Sequence, residues 1–312
     1  MILTLTAKSG ISNSGNFVLE TLKQGAVMRM SLRISLVIGA VAACMMSQLS
    51  FADTATSANN SSTAVAKPRL SDHFTADYLG LFTGGALSDP GASYSPGPDG
   101  KPNPATPQQV ENYVSGYYKI SDTVKVGPRA HFYYSPVQGK NITMLDPLLQ
   151  ITDTNLYSRG NFKLSGYARA YLPVTAESTA TGRQIQFRFL LNPNYEIPHT
   201  RFTVGVYSYA QPASYSGYNA TNTTFATYLA PYVYYQLTRT VSITSLYEMA
   251  AVRMQRQGDL TSFNNGGTDF EPGVNWDISP NFSINPYLNF YTGNQISMDS
   301  TSINMLIVGK FF

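Results

Sequence analysis

From Phe74 onward, apolar and polar residues alternate with a period of two, the spacing of side chains on opposite faces of a β-strand. The first such run, about 74–83 (FTADYLGLFT), puts Ala76, Tyr78, Gly80 and Phe82 on one face. Two further strands are predicted at about 111–121 and 123–135, joined tightly at Ser121 and Asp122. Short connections recur at 158–161, 197–200, 237–240 and 279–281. Between them the connections are long: 84–110, 136–146, 175–183, 211–223, 255–268 and 292–300. The count is about twelve strands of roughly 10–14 residues each, long enough for a tilted strand to cross a bilayer. Short connections at one end and long ones at the other predict an all-β fold: a single transmembrane antiparallel up-and-down β-barrel occupying 74–312.

Prolines test that pattern, because a closed barrel has no free edge to hold them. Pro128, Pro173, Pro231, Pro272 and Pro286 fall in or near strands and predict local bulges or missing ladder bonds. The segment 84–110 carries so many prolines and glycines that neither a helix nor a central strand is expected there.

The last residues, TSINMLIVGKFF, end on an aromatic. This stretch resembles the closing strand of bacterial outer-membrane β-barrels of the porin-like class. The resemblance implies that Phe312 is part of an assembly signal, with Lys310 departing from the usual residue two positions before the end. It also implies outer-membrane lipid and lipopolysaccharide as surroundings, and the barrel-assembly machinery and periplasmic chaperones as partners. An even strand number would leave both termini in the periplasm of a Gram-negative cell.

The start of the chain fits export. Residues 28–33 are a short basic segment, residues 34–46 an apolar run too short to span a bilayer, and Ser50, Phe51 and Ala52 precede a cut before Asp53. Hence 1–27 reads as an upstream extension, 28–52 as a signal peptide and 53–73 as a flexible periplasmic tail. Val41 to Cys44 also fits a lipobox, but the apolar Met45 and Met46 follow it, where lipoproteins turn polar.

Composition narrows the function. Four of the 21 basic residues (Lys8, Lys23, Arg29, Arg33) and one of the 18 acidic residues (Glu20) precede the cut. That leaves 17 of each and no case for a nucleic-acid partner. The single cysteine, Cys44, lies in the leader, so the mature chain has no disulfide. Mean hydropathy of −0.14 is too polar for a helical membrane protein and suits a barrel whose alternate residues face water. Three scattered histidines argue against a metal site, and no cofactor is expected. Neither the Ser–His–Asn pattern of outer-membrane phospholipase A nor the acidic and Asp–His pairs of omptin-like proteases is evident, so an enzyme is not expected.

A charge facing lipid costs about 2–4 kcal/mol at the midplane, so charged residues should face the lumen. Inward basic residues are expected at Lys119, Lys125, Arg129, His131, Lys163, Arg169, Arg188 and Arg201, with Asp153 as a partial offset. Inward acids are expected at Asp77, Glu248, Glu271 and Asp277, and inward aromatics at Tyr167, Tyr207, Tyr228 and Tyr232. Arg129, Arg169, Arg188 and Glu248 should reach the middle third of the wall. A basic wall facing an acidic wall resembles the constriction of general porins and implies passive diffusion of small polar, anionic solutes. The competing reading is a non-conducting structural or adhesive barrel that works through its long loops; a hydrolase ranks third.

Overall fold

The computed structural model describes residues 73–137, 139–256, 258–261, 268–292 and 296–311. The proposed extension, leader, most of the tail and Phe312 lie outside them. Twelve strands close the wall: β1 (Phe74–Ala86), β4 (Gln109–Lys119), β5 (Val124–Ser135), β7 (Leu148–Arg159), β8 (Phe162–Tyr171), β9 (Arg183–Glu196), β10 (Phe202–Tyr215), β11 (Thr223–Gln236), β12 (Val241–Met254), β13 (Thr268–Ser279), β14 (Phe282–Tyr291) and β15 (Thr301–Phe311). Each wall strand pairs antiparallel with the next, and β1 pairs with both β15 and β4, which closes the ring. Three short strands lie at the long-loop rim: β2 (Tyr94–Pro96) and β3 (Pro102–Pro107) form a hairpin, and β6 (Asn141–Met144) extends the upper half of β5. A five-residue helix, α1 (Ala176–Ala180), sits in the connection after β8.

The outer face is an apolar belt. Val114, Leu149, Phe189, Leu229, Ile243 and Val274 all stand exposed on it. A belt of this extent is untenable in water and is matched by lipid. Aromatic rings gather near the short-turn rim, where cross-strand registers pair Phe74 with Tyr118, Phe162 with Tyr195 and Phe202 with Tyr235. Such girdles mark a membrane–water interface. One polar residue on this face, Asn112, is covered: the Tyr78 ring lies over Gly80 and its hydroxyl donates to Asn112 Oδ1 at 2.8 Å. The fold is a transmembrane barrel of the outer-membrane type.

The prolines follow one rule. Pro128, Pro193, Pro212, Pro231, Pro272 and Pro286 are each paired to one neighbouring strand while the ladder to the other skips them. The missing N–H therefore faces an interruption already present in the ladder. Pro173 lies outside the strands, in the connection after β8. Segment 84–110 is more ordered than its composition suggests. β1 runs on to Ala86, and the β2–β3 hairpin pairs Tyr94 with Pro107 and Pro96 with Pro102, a two-stranded ribbon that tolerates proline. The hairpin packs on the rim above β1, β14 and β15: Ser95 Oγ donates to Gly84 O at 2.6 Å, and Tyr291 Oη to Pro96 O at 3.2 Å.

The loop on the other side of the mouth is tied by one carboxylate. Asp146 Oδ1 accepts from Val174 N, Thr175 N and Thr175 Oγ1, while Oδ2 accepts from Ser178 Oγ and Arg183 Nη1. Burial pushes its pKa up, but the bonds from Ser178, Thr175 and Val174 outweigh this and hold it below the usual carboxylate value. A folded pKa below the unfolded one gives stability that is present above the unfolded pKa and lost as pH falls through the folded one. Acidification below about pH 4 is therefore expected to loosen residues 172–182. Protease cleavage in that loop should rise on acidification in the native protein. In Asp146→Asn it should already be fast at neutral pH and nearly independent of pH.

Candidate pore site

Alternation on β5, β8 and β9 sends Arg129, Arg169 and Arg188 to the inner face, and pairing brings them together. Arg169 lies directly opposite Arg188, and on β7 Gln150 lies opposite Arg169. Gln150 Oε1 accepts from Arg129 Nη1 at 2.9 Å and from Arg169 Nε at 2.7 Å. Arg188 Nε donates to Gln211. The guanidiniums also lie over aromatic faces: Arg129 is 4.4 Å from the Tyr113 centroid, Arg169 is 4.1 Å from Tyr167 and Arg188 is 4.5 Å from Tyr209. Among the described residues none of the three arginines forms an ion pair. Three neighbouring like charges are thus held by two amides and by aromatic rings and keep their net charge for the lumen.

The other predicted bases differ. Lys125 is paired with Asp77, and Lys163 with Glu196 at 2.7 Å, both toward the short-turn rim. Lys119 is opposite Lys125 in the register, on the same face. His131 stacks on Tyr113 with ring centroids 4.1 Å apart, and its Nε2 lies 2.7 Å from Glu111 Oε1, which also accepts from Tyr113 Oη. Two expectations need correction. Arg201 is exposed in the turn before β10, with Nη1 donating to Leu237 O at 3.1 Å, so it is not on the wall. Asp153 shares the outward register with Val124 and Gly166, and its carboxylate accepts from Asn155 N beside a bulge. It lies in the middle of β7, where the ladder to β8 is interrupted between Asp153 and Tyr157.

Across the lumen, Glu248 is opposite Asp269 in the register, and Glu271 is opposite Leu246. Tyr228 donates to Glu248, and Asn289 Nδ2 donates to Asp269 Oδ2 and Glu271 Oε1, each at 3.2 Å. Among the described residues none of these carboxylates has a cationic partner. Asp277, toward the short-turn rim, accepts from Asn275. Tyr207 and Tyr232 stack with centroids 4.7 Å apart, between the basic and acidic groups.

A cavity of about 550 Å³ lies against the basic groups and is lined by Glu111, Arg169, Arg188 and Tyr228, with the Asp146 loop at its upper end. A smaller one, about 240 Å³, is lined by Glu248, Glu271 and Tyr287. Leu81, Tyr207 and Leu306 line both and so stand between them. The β2–β3 hairpin lines neither cavity. Glu111, Asp269, Gln150 and the inner leucines were absent from the expected site. Parity could have found two of them, since Glu111 shares a face with Tyr113 and Asp269 with Glu271.

No protein-family model matches the chain, and no curated protein does. Among solved structures it is similar to an outer membrane channel of Pseudomonas putida F1, at 11% identity over 81% of this chain and 100% of that chain, with a TM-score of 0.46. The KdgM porin, solved in complex with disordered oligogalacturonate, shares 7% identity over 76% of this chain and 99% of its own, with a TM-score of 0.43. The NanC porin shares 7% identity over 76% and 98%, with a TM-score of 0.41. What the lumen can do is therefore read from this chain's own side chains.

Proposed function

We propose that the protein is a porin-like channel of the bacterial outer membrane that passes small anionic solutes by passive diffusion, its termini on the periplasmic side. The observation that carries this reading is the cluster of Arg129, Arg169 and Arg188, free of ion pairs among the described residues, of which Arg169 and Arg188 border a cavity within the barrel. Fixed charge in a narrow, low-dielectric channel concentrates counter-ions and selects among them. The carboxylates opposite complete a field across the lumen, as an electrostatic constriction requires. Lys119, Lys125, Lys163, His131, Asp77, Asp277 and the inner tyrosines make up the rest of the polar wall.

A non-conducting barrel competes with this reading, because Leu81, Tyr207 and Leu306 stand between the two cavities. Single-channel recording in planar bilayers separates them. The refolded protein is expected to give discrete current steps in potassium chloride, small ones for a lumen of twelve strands. Barrels that insert and stay silent would leave the structural or adhesive reading as the better one.

A further inference from the structure

The inner wall is not uniformly polar. On β1 the inward positions between Asp77 and Thr83 are Leu79 and Leu81, and on β15 the inward Leu306 faces Leu81 across the ladder. Leu79 is opposite Tyr113 and packs on the buried cluster of Tyr113, Leu148 and Tyr171. All three leucines line the same cavity as Arg169 and Arg188. An aqueous wall has no need of them, since apolar surface left in water forgoes about 25 cal/mol for each Å². Chloride makes no use of them either. A cavity of about 550 Å³ with an apolar side and a few convergent charged groups has the composition of a site for a small organic ligand.

We infer that the preferred solutes are organic carboxylates with an apolar aryl or alkyl body. The inference rests on the anion-channel reading and narrows it. The carboxylate meets Arg169 and Arg188, whose planar forks suit a two-oxygen acceptor. The body lies against Leu81, Leu306 and the tyrosine rings. A sugar acid of equal charge would set hydroxyls against the leucines without hydrogen-bond partners, a cost an aryl or alkyl body avoids.

The test compares benzoate, hexanoate and glucuronate on the folded wild-type barrel in detergent. Calorimetric titration reads affinity whether or not the pore conducts, and block of chloride current reads it in bilayers. Benzoate and hexanoate should bind, and block, at concentrations about tenfold lower than glucuronate. Leu81→Ser with Leu306→Ser should remove most of that difference; Leu81→Ser alone serves if the double variant does not fold. Glucuronate matching or exceeding benzoate on the wild type would overturn the inference, and so would an undiminished preference in a folded leucine variant. An anion-selective pore with no such discrimination would remove this inference alone. A pore indifferent to charge would remove the channel reading beneath it.

Discussion

Replacing Arg129, Arg169 and Arg188 together with glutamine should move the reversal potential in a potassium chloride gradient toward that of a cation-preferring pore. None of the three is in an ion pair among the described residues, so each substitution removes net charge from the lumen. A unit charge about 6 Å from a passing ion is worth about 1–3 kcal/mol at effective dielectric constants between those of water and the protein surface. One such charge changes the anion-to-cation permeability ratio at least about fivefold, and three should reverse it at low ionic strength. The effect should shrink toward 1 M salt, where the screening length falls to about 3 Å. Glu248→Gln with Glu271→Gln should shift the potential the other way. Lys163→Gln should do little, because Lys163 lies toward the short-turn rim and is half exposed, where water and salt screen a change of one charge. A triple arginine variant that folds and keeps its selectivity would separate the cluster from permeation.

The largest effect on assembly is expected at Gly127. It sits where β4 and β5 approach so closely that an added Cβ would overlap the carbonyl oxygen of Gly116 and come within 2.8 Å of Tyr117 Cα. The ladder already skips this point, between Ser115 opposite Arg129 and Tyr118 opposite Val126, with Pro128 supplying no donor. The obstacle is backbone, so no rotamer change relieves it. Gly127→Ala should cost more than the 1–3 kcal/mol typical of an overpacked core, because the two strands must part. The expected outcome is loss of the heat-modifiable folded band on gels and little material in the outer membrane. Gly116→Ala one strand away should be tolerated, since nothing lies within 4 Å of a Cβ there. Equal yields for the two would refute the close-approach argument.

Much of this fold is visible in the sequence, because a barrel is built from a local rule. Period-two alternation marks each wall strand, and turn residues mark each short connection to within a few residues. Arg129, Arg169, Arg188 and Glu248 are legible as lumen residues for the same reason: apolar neighbours on either side, Ala130 and Phe132 or Ala168 and Ala170, claim the lipid face. What alternation cannot carry is the partner of each residue. That Gln150 joins two arginines, that Glu111 engages His131, and that Asp77 neutralises Lys125 all depend on cross-strand register. Register is set by the whole ring and has no local signature. Charge was also too coarse a guide at two positions. Arg201 lies in a turn, where water and headgroups reach, and Asp153 sits beside a bulge that no local pattern announces. The β2–β3 hairpin escaped notice because prolines hide a ribbon whose bonds need only alternate residues.

The most direct test is the zero-current potential of the wild-type channel across a tenfold potassium chloride gradient at low ionic strength. Three clustered arginines without ion-pair partners among the described residues, two of them lining the cavity, predict a potential displaced toward the chloride equilibrium value. A potential at zero, or displaced toward the potassium value, would contradict the account.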